Sequence, residues 1–415
     1  MRISDNCDRV IDLIDLPEWG RVVPLAGVEP FCVVDEADRP VEPVRRFLRD
    51  LVAQGCSAAT IRSYAFALLR WWRFLRAVEV EWSKACPAEA RDFVLWLQRT
   101  SKRRRLPRTD SAMTAGTVNP ITRKRFQDDS YMMATIRHSN AVVRSFYVFW
   151  IERGEGPLVN PVVLARGRGR RPHAHHNPSE SFRPEGRLRY NPPAPKRRPR
   201  AMPDELWEQL FTAMRSDRDR AILALAVSTG ARAGELLGMR GVDLDWGDQL
   251  IQVRRKGTRA PQWLPASPEA FVWLRLHVEE IGGVGADAPV WQTLRRRARD
   301  GGLPGRVPLN YEALRAVLRR ANGLLGTNWT MHDLRHTCAL RMIRDARLSL
   351  RDVQTILGHA HLTTTETYLV EDDLEVIRRV RDHLAGRDEP LTLPGDATTP
   401  YRAEDLTVLF GPAGR

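Results

Sequence analysis

Three things are scarce in this chain, and each scarcity narrows what it can be. Cysteine is thin: Cys7, Cys32, Cys56, Cys86 and Cys338 are the five in 415 residues, scattered, odd in number and without a C-x-x-C pair. That usage excludes a disulfide-framed scaffold and a cysteine zinc site, and it fits reduced thiols. Long apolar runs are lacking, since no stretch reaches the roughly 18 uncharged apolar residues of a membrane span. The first residues are broken by Asp5, Asp8, Arg9, Asp12 and Asp15 and hold no apolar signal core. A soluble, cytoplasmic protein with no membrane partner is the expectation. Negative charge is also in short supply, with 51 acidic side chains against 65 Lys and Arg, for a formal charge of +14. A polyanion is therefore the expected partner, and nucleic acid is the first candidate.

What is present supports real cores. A hydrophobic share of 43% with 12 Trp excludes global disorder. A length of 415 residues is too great for one ordinary core, so two domains are expected. Residues 1–40 form an extension with short β-prone runs, Arg21–Pro24 and Phe31–Val34. Residues 41–155 read as an all-helical domain. Val44, Phe47, Leu48 and Leu51 recur at helical spacing. Ser57 stands where it can cap the next helix, whose apolar face holds Ile61, Tyr64, Leu68 and Leu75. Two further helices are predicted over 88–97 and about 131–151. Between them lies a polar insertion, 101–129, in which Arg103 and Arg104 are candidate DNA contacts, against the plainer reading of a solvated loop.

Residues 156–201 read as a linker. Their Pro, Gly and basic side chains, with little aliphatic content, cannot order the segment alone. Arg168, Arg170, Arg171, Lys196, Arg197 and Arg198 are candidate phosphate contacts there, since each neutralised phosphate releases counterions. Flexible tethering is the alternative. His173, His175 and His176 have no Cys or carboxylate at ligand spacing, so no metal is expected.

Residues 202–387 read as a second, mostly helical domain with one small antiparallel sheet, and 388–415 as a tail. Asp204 is placed to cap a helix, and an apolar helix over 219–227 stops at Thr229-Gly230. Leu250–Arg254 alternates like a strand, Lys256-Gly257-Thr258 reads as its turn, and Gln262-Trp263-Leu264 as its return. Helical patterns follow over 268–281, 311–325, 331–345, 350–357, 363–368 and 373–384.

This domain carries the chemistry. In order come Thr229–Glu235 with Arg232, Lys256 on the turn, His332-Asp333-Leu334-Arg335-His336, Leu357-Gly358-His359, and Tyr368 nine residues later. A phosphodiester repels nucleophiles and has a poor leaving group, so cationic donors must meet its non-bridging oxygens in the transition state. Arg232 and Arg335 supply forked donors that stay protonated. Glu235 lies one turn from Arg232 and is placed to orient it. Lys256 has the reach to protonate a leaving oxygen. Tyr368 offers a nucleophilic oxygen, while His332 and His359 are candidates for moving its proton, with His336 in support. Taken one at a time, each of these is more simply an ion pair, a core His or a packing Tyr. The ordered set is what points to catalysis.

These motifs resemble the tyrosine site-specific recombinases of the phage-integrase family, over roughly 41–385 and most specifically in the second half. The resemblance implies the fold of the DNA breaking-rejoining enzymes, with a helical, SAM-like core-binding domain ahead of the catalytic one, the two clamping duplex DNA. It implies Arg232, Lys256, His332, Arg335, His359 and Tyr368 as the catalytic set. It further implies a covalent 3′-phosphotyrosine with a free 5′-hydroxyl, no ATP, metal or other cofactor, and a homo-oligomer on DNA, as a rule a tetramer, with companion recombinases in some systems. Integration, excision or transposition of a mobile element is the implied task. Arg347 stands where a Gly is usual, and no separate arm-binding domain is evident. A type IB topoisomerase-like nicking-closing enzyme and a non-catalytic DNA-binding protein on the same fold are the alternatives. At the end of the chain, an amphipathic 373–384 and the apolar Leu406–Phe410 suggest a tail that docks on a neighbouring protomer, or on its own domain.

Overall fold

The computed structural model describes residues 9–102, 113–165, 188–193, 199–296, 305–359, 365 and 373–385. The chain divides into two units, Met1–Arg197 with Gly326–Asn328, and Arg198–Leu325 with Trp329–Arg415. Both are mainly helical with small antiparallel sheets. None of the described helices is long and apolar enough to cross a membrane.

In the first unit, aromatic residues at helical spacing meet in one core. Helices α1 (Glu42–Ala53), α2 (Ala58–Ala77), α3 (Pro87–Arg99) and α4 (Met133–Ile151) bury Phe47, Trp71, Phe74, Phe93, Phe146, Tyr147 and Trp150. The Phe146 ring meets the edges of Phe47 at 5.6 Å and Trp72 at 5.2 Å, the offset geometry that ring quadrupoles favour. Tyr147 is fully buried, and its hydroxyl accepts from Trp71 Nε1 (3.0 Å) and donates to the Trp82 carbonyl (2.9 Å). Ser57 caps α2, its Oγ accepting from the Thr60 amide at 3.2 Å.

The N-terminal extension packs into this unit. Strands β1 (Arg21–Pro24) and β2 (Phe31–Val34) pair antiparallel, and Trp19 and Val33 join the helical core. Arg73 of α2 donates to the carbonyls of Trp19 (2.6 Å) and Gly20 (2.8 Å), while Arg9 reaches the buried carboxylates of Glu89 (2.7 Å) and Asp92 (3.0 Å). Part of the polar insertion is folded as well. Asn119 Oδ1 accepts from the amides of Ile121 and Thr122, and the Asn119 and Phe126 amides close a turn on the carbonyls of Lys124 and Thr117. Arg103 and Arg104 lie outside the described residues.

The second unit is organised around α6 (Asp217–Thr229), which follows α5 (Asp204–Thr212). Ile222, Leu223 and Leu225 are wholly buried because α8 (Pro268–Glu280) and α10 (Met331–Arg344) cover it from two sides. Ser216 is the cap of α6, accepting from the Asp219 amide at 3.2 Å, so the helix begins two residues before the apolar pattern does. Asp204 is the first helical residue of α5 and not its cap. The sheet has three strands, not the two read from the alternation. The two-residue β3 (Leu244–Asp245) precedes β4 (Leu250–Arg254) and β5 (Pro261–Pro265), in the order β3-β4-β5. A short α7 (Ala233–Leu237) follows α6, and α9 (Tyr311–Leu325), α11 (Leu350–Leu357) and α12 (Asp373–Ala385) complete the described α-helices of the unit.

Candidate active site

The end of α6 fixes the first part of the site. Gly230 closes that helix in the left-handed conformation, φ +63°, and a Cβ there would lie 2.7 Å from Leu357 Cδ2 and 3.1 Å from Cys338 Sγ. Only glycine lets α10 and the end of α11 approach so closely. The approach is used by Arg335 of α10, which is 2% exposed. Its Nη1 donates to the Gly230 carbonyl at 2.6 Å, and its Nη2 reaches the Leu357 carbonyl at 2.7 Å and His359 Nε2 at 2.8 Å. Three sequence motifs thus meet on one guanidinium.

A second hub lies on Glu235, whose side chain is 2% exposed. Arg232 occupies the position just before α7, and its amide and Nη1 donate to Glu235 Oε2 (2.9 Å) and Oε1 (2.8 Å). The Lys256 amide donates to Oε1 at 3.2 Å, and Arg255 Nη1 to Oε2 at 3.0 Å. Burial alone would raise the Glu235 carboxyl. The donors from Arg232, Lys256 and Arg255 outweigh it and hold that carboxyl below its usual value. Arg232 stays about a third exposed and Lys256 is exposed, so the hub keeps two cations facing solvent.

His359 follows Gly358, which ends α11 at φ +61°. Because a guanidinium only donates, His359 Nε2 must accept from Arg335, and the ring proton sits on Nδ1, 2.9 Å from Thr365 Oγ1. Burial, then the charges of Arg335, Arg232 and Arg255, push this imidazole down to about 4. The ring is neutral at pH 7 in this arrangement, with Nε2 engaged by Arg335. His332 is exposed on α10, its ring centroid 4.4 Å from that of half-buried His336. Thr330 begins the helix, its amide and hydroxyl both donating to Asp333 Oδ2.

The structure therefore brings together Arg232, Glu235, Arg335 and His359, with the Lys256 backbone on the same carboxylate. Tyr368 lies outside the described residues, as do Arg168, Arg170, Arg171, Lys196, Arg197, Arg198 and the tail over 388–415. Arg347, at the place where Gly is usual, is not in the left-handed region, and its amide and guanidinium bind Asp345. No glycine is required there. Among the described residues, no group of three His, Cys, Asp or Glu side chains is placed to hold a metal ion.

Comparison with known proteins agrees with this geometry. Residues 201–375 match the model of the phage integrase family. Those residues form a domain of that family, the tyrosine recombinases. It is 25% identical to transposase A from transposon Tn554 of Staphylococcus aureus over 86% of this chain and 95% of that one. Tyrosine recombinase XerC of Xylella fastidiosa is 35% identical across 40% of this chain and 52% of its own length. In fold, the Tn1549 transposon integrase bound to circular intermediate DNA matches with a TM-score of 0.52 at 13% identity, over 82% of this chain and 98% of that one. A lambda integrase dimer bound to a core site matches at 0.50 and 17%, over 79% of this chain and 94% of the other. The chain is a DNA strand-cleaving and rejoining enzyme, a site-specific recombinase.

Sequence reasoning gave Arg255, Gln262 and Thr365 no role. Ile251 and Val253 are buried at alternate positions of β4, and Arg255 continues their face at 6% exposed. That two-residue period was readable in the sequence, yet a third basic residue beside a turn is ordinarily assigned to solvent.

Proposed function

We propose that this recombinase cleaves one DNA strand through Tyr368 and rejoins it to a partner strand. The Tyr368 oxygen forms a bond to phosphorus, the bond from phosphorus to O5′ breaks, and a 3′-phosphotyrosine and a free 5′-hydroxyl result. Arg232, about a third exposed, and Arg335 supply the cationic donors for the non-bridging oxygens, where donors worth about 10²–10³ in rate act. Lys256 gives a proton to the departing O5′, and exposed His332 takes the one from Tyr368. In the second half, the 5′-hydroxyl of the partner strand attacks the phosphotyrosine and restores the phenol. The observation that carries this reading is the convergence on Arg335 of Gly230 and of the Leu357–His359 turn, two segments far apart in sequence.

The substrate is duplex DNA, bound by both domains and by basic residues that include Arg103, Arg104, Arg168, Arg170, Arg171, Lys196, Arg197 and Arg198. Exchange between two duplexes requires several subunits, a tetramer with or without companion recombinases, acting in the cytoplasm on the ends of a mobile element. On described α12, Ile377, Val380 and Leu384 are each about half exposed, as a docking helix requires. Incubation with a nicked duplex that loses the 5′ product should trap a covalent adduct with the wild type and none with Tyr368→Phe. Trapping by Tyr368→Phe at the wild-type level would overturn the reading.

A further inference from the structure

Lys256 can protonate a leaving oxygen only if the exposed turn that carries it is held near the phosphate. The turn is closed by the Arg259 amide on the Arg255 carbonyl (3.0 Å), but its tip stands open: Gly257 (φ +100°) and Arg259 (φ +56°) both adopt left-handed backbone, and among the described residues none beyond its chain neighbours lies within 4 Å of a Cβ at Gly257. The Lys256 amide is held by Glu235, and further restraint on the side-chain side comes from the residue before it. Arg255 is buried and spans three parts of the domain. Its Nη1 donates to Glu235, its Nε to Gln262 Oε1 across the hairpin at 2.7 Å, and its Nη2 to the Ile356 carbonyl at the end of α11. Gln262 repeats the link, its Nε2 donating to the Thr355 carbonyl at 2.9 Å. The closeness is visible from the other side too, because a Cβ on Gly358 would lie 2.7 Å from Arg255 Nε.

We propose that Arg255 is a positioning residue that ties the Lys256 hairpin to Glu235 and to the turn bearing His359, and so sets where the Lys256 ammonium stands during strand cleavage. Three acceptors lie around one planar guanidinium, and a lysine at the same place keeps the charge against Glu235 but cannot span all three. The inference rests on Lys256 acting as the acid of the proposed reaction.

The test compares two leaving groups. In an ordinary duplex, the departing O5′ needs a proton. In a duplex with sulfur in place of that bridging oxygen, the thiolate departs without one, because a thiol ionises near neutral pH. Lys256→Ala should be slow on the oxygen substrate and restored to the wild-type rate on the sulfur one. Arg255→Lys should follow it, with an oxygen rate about 10²-fold down, as a displacement of about 1 Å produces, and restoration on sulfur. Arg232→Ala should stay slow on both. Gln262→Ala, which leaves the Arg255–Glu235 pair intact, should show a smaller loss with the same restoration, and it decides the matter if Arg255→Lys does not fold. Equal loss on both substrates for the Arg255 and Gln262 variants, with Lys256→Ala restored, would overturn the positioning role alone. Failure to restore Lys256→Ala would instead overturn the acid assignment, and this inference with it.

Discussion

Replacing Glu235 by Gln is the sharpest perturbation of the site, because the change is nearly isosteric and every carboxylate oxygen is already used. Oε1 accepts from Arg232 Nη1 and the Lys256 amide, and Oε2 from the Arg232 amide and Arg255 Nη1. An amide NH₂ meets two donors in either orientation. At the Oε2 position it would face a backbone N–H and a buried guanidinium. At the Oε1 position it displaces the more movable Arg232 side chain and orphans the Lys256 amide, so that orientation should win. Breaking a buried pair costs about 3–5 kcal/mol, and since Gln keeps one acceptor oxygen, about 3 kcal/mol is expected, roughly a hundredfold in the folding equilibrium. Urea unfolding at pH 7 measures it, and adduct trapping should show slowed cleavage, since Arg232 has lost its orienting partner. The pH dependence adds a second check. The folded carboxyl lies below its ordinary value of 4.5, so its stabilising effect is present above that pH and disappears as pH falls through the folded value. The gap between wild type and variant should therefore narrow in acid. A loss at pH 7 below about 1 kcal/mol, the size of an exposed ion pair, would refute the hub.

Gly358→Ala should destabilise the second unit by at least the roughly 1–2 kcal/mol of a left-handed alanine, and more because its Cβ meets Arg255; a thermal melt unchanged from wild type would contradict this packing. His359 is held neutral by burial and by the arginines around it, with its pKa near 4 against an ordinary 6.5. The unfolded chain therefore binds the extra proton first, so stability should fall as pH drops from about 6.5 towards 4, and His359→Gln should flatten that window in a pH series of melts. Duplex DNA should stabilise the wild type by about 2.7 kcal/mol at a hundred times its dissociation constant, seen as a higher unfolding temperature, and should stabilise Arg232→Ala by less; equal protection of both would remove Arg232 from the phosphate site.

What could be read from the sequence follows from how each feature is encoded. The mainly helical fold was legible because apolar residues recur at helical spacing in both halves, as with Phe47 and Leu51 in α1 or Leu206 and Leu210 in α5. The β4–β5 hairpin was legible from the alternation over Leu250–Arg254 and the Gly257 turn. The two-residue β3 was not, because it is too short to show a period. Arg232 with Glu235, and Arg335 with His359, were readable as motifs, but the carbonyls of Gly230 and Leu357 that Arg335 joins are backbone atoms, and no side-chain pattern announces them. Arg255 escaped for a different reason. Its burial depends on Glu235, twenty residues earlier, and on α11, about a hundred residues later, and such a partner set exists only after the chain has folded.

The two hubs divide the electrostatic work. Among the described residues, Arg335 donates to two carbonyl oxygens and a neutral imidazole. Arg232 and Arg255 share the one buried carboxylate of Glu235. Among the described residues, three guanidiniums thus stand beside a single buried acid, and the exposed amine of Lys256 adds to the positive charge. Desolvation and the nearby Arg232 draw down the basicity of Arg255, and the same surroundings keep His359 uncharged, so the site already resists further positive charge. On the proposed mechanism, an arriving phosphodiester relieves that positive charge, and the charge that grows on its non-bridging oxygens in the transition state relieves it further. Because the donors are fixed beforehand by glycine-permitted contacts and buried bonds, little reorganisation remains for the moment of reaction. A pocket tuned this way favours the pentavalent, more negative state over the bound duplex, which is the condition for rate enhancement instead of tight binding alone.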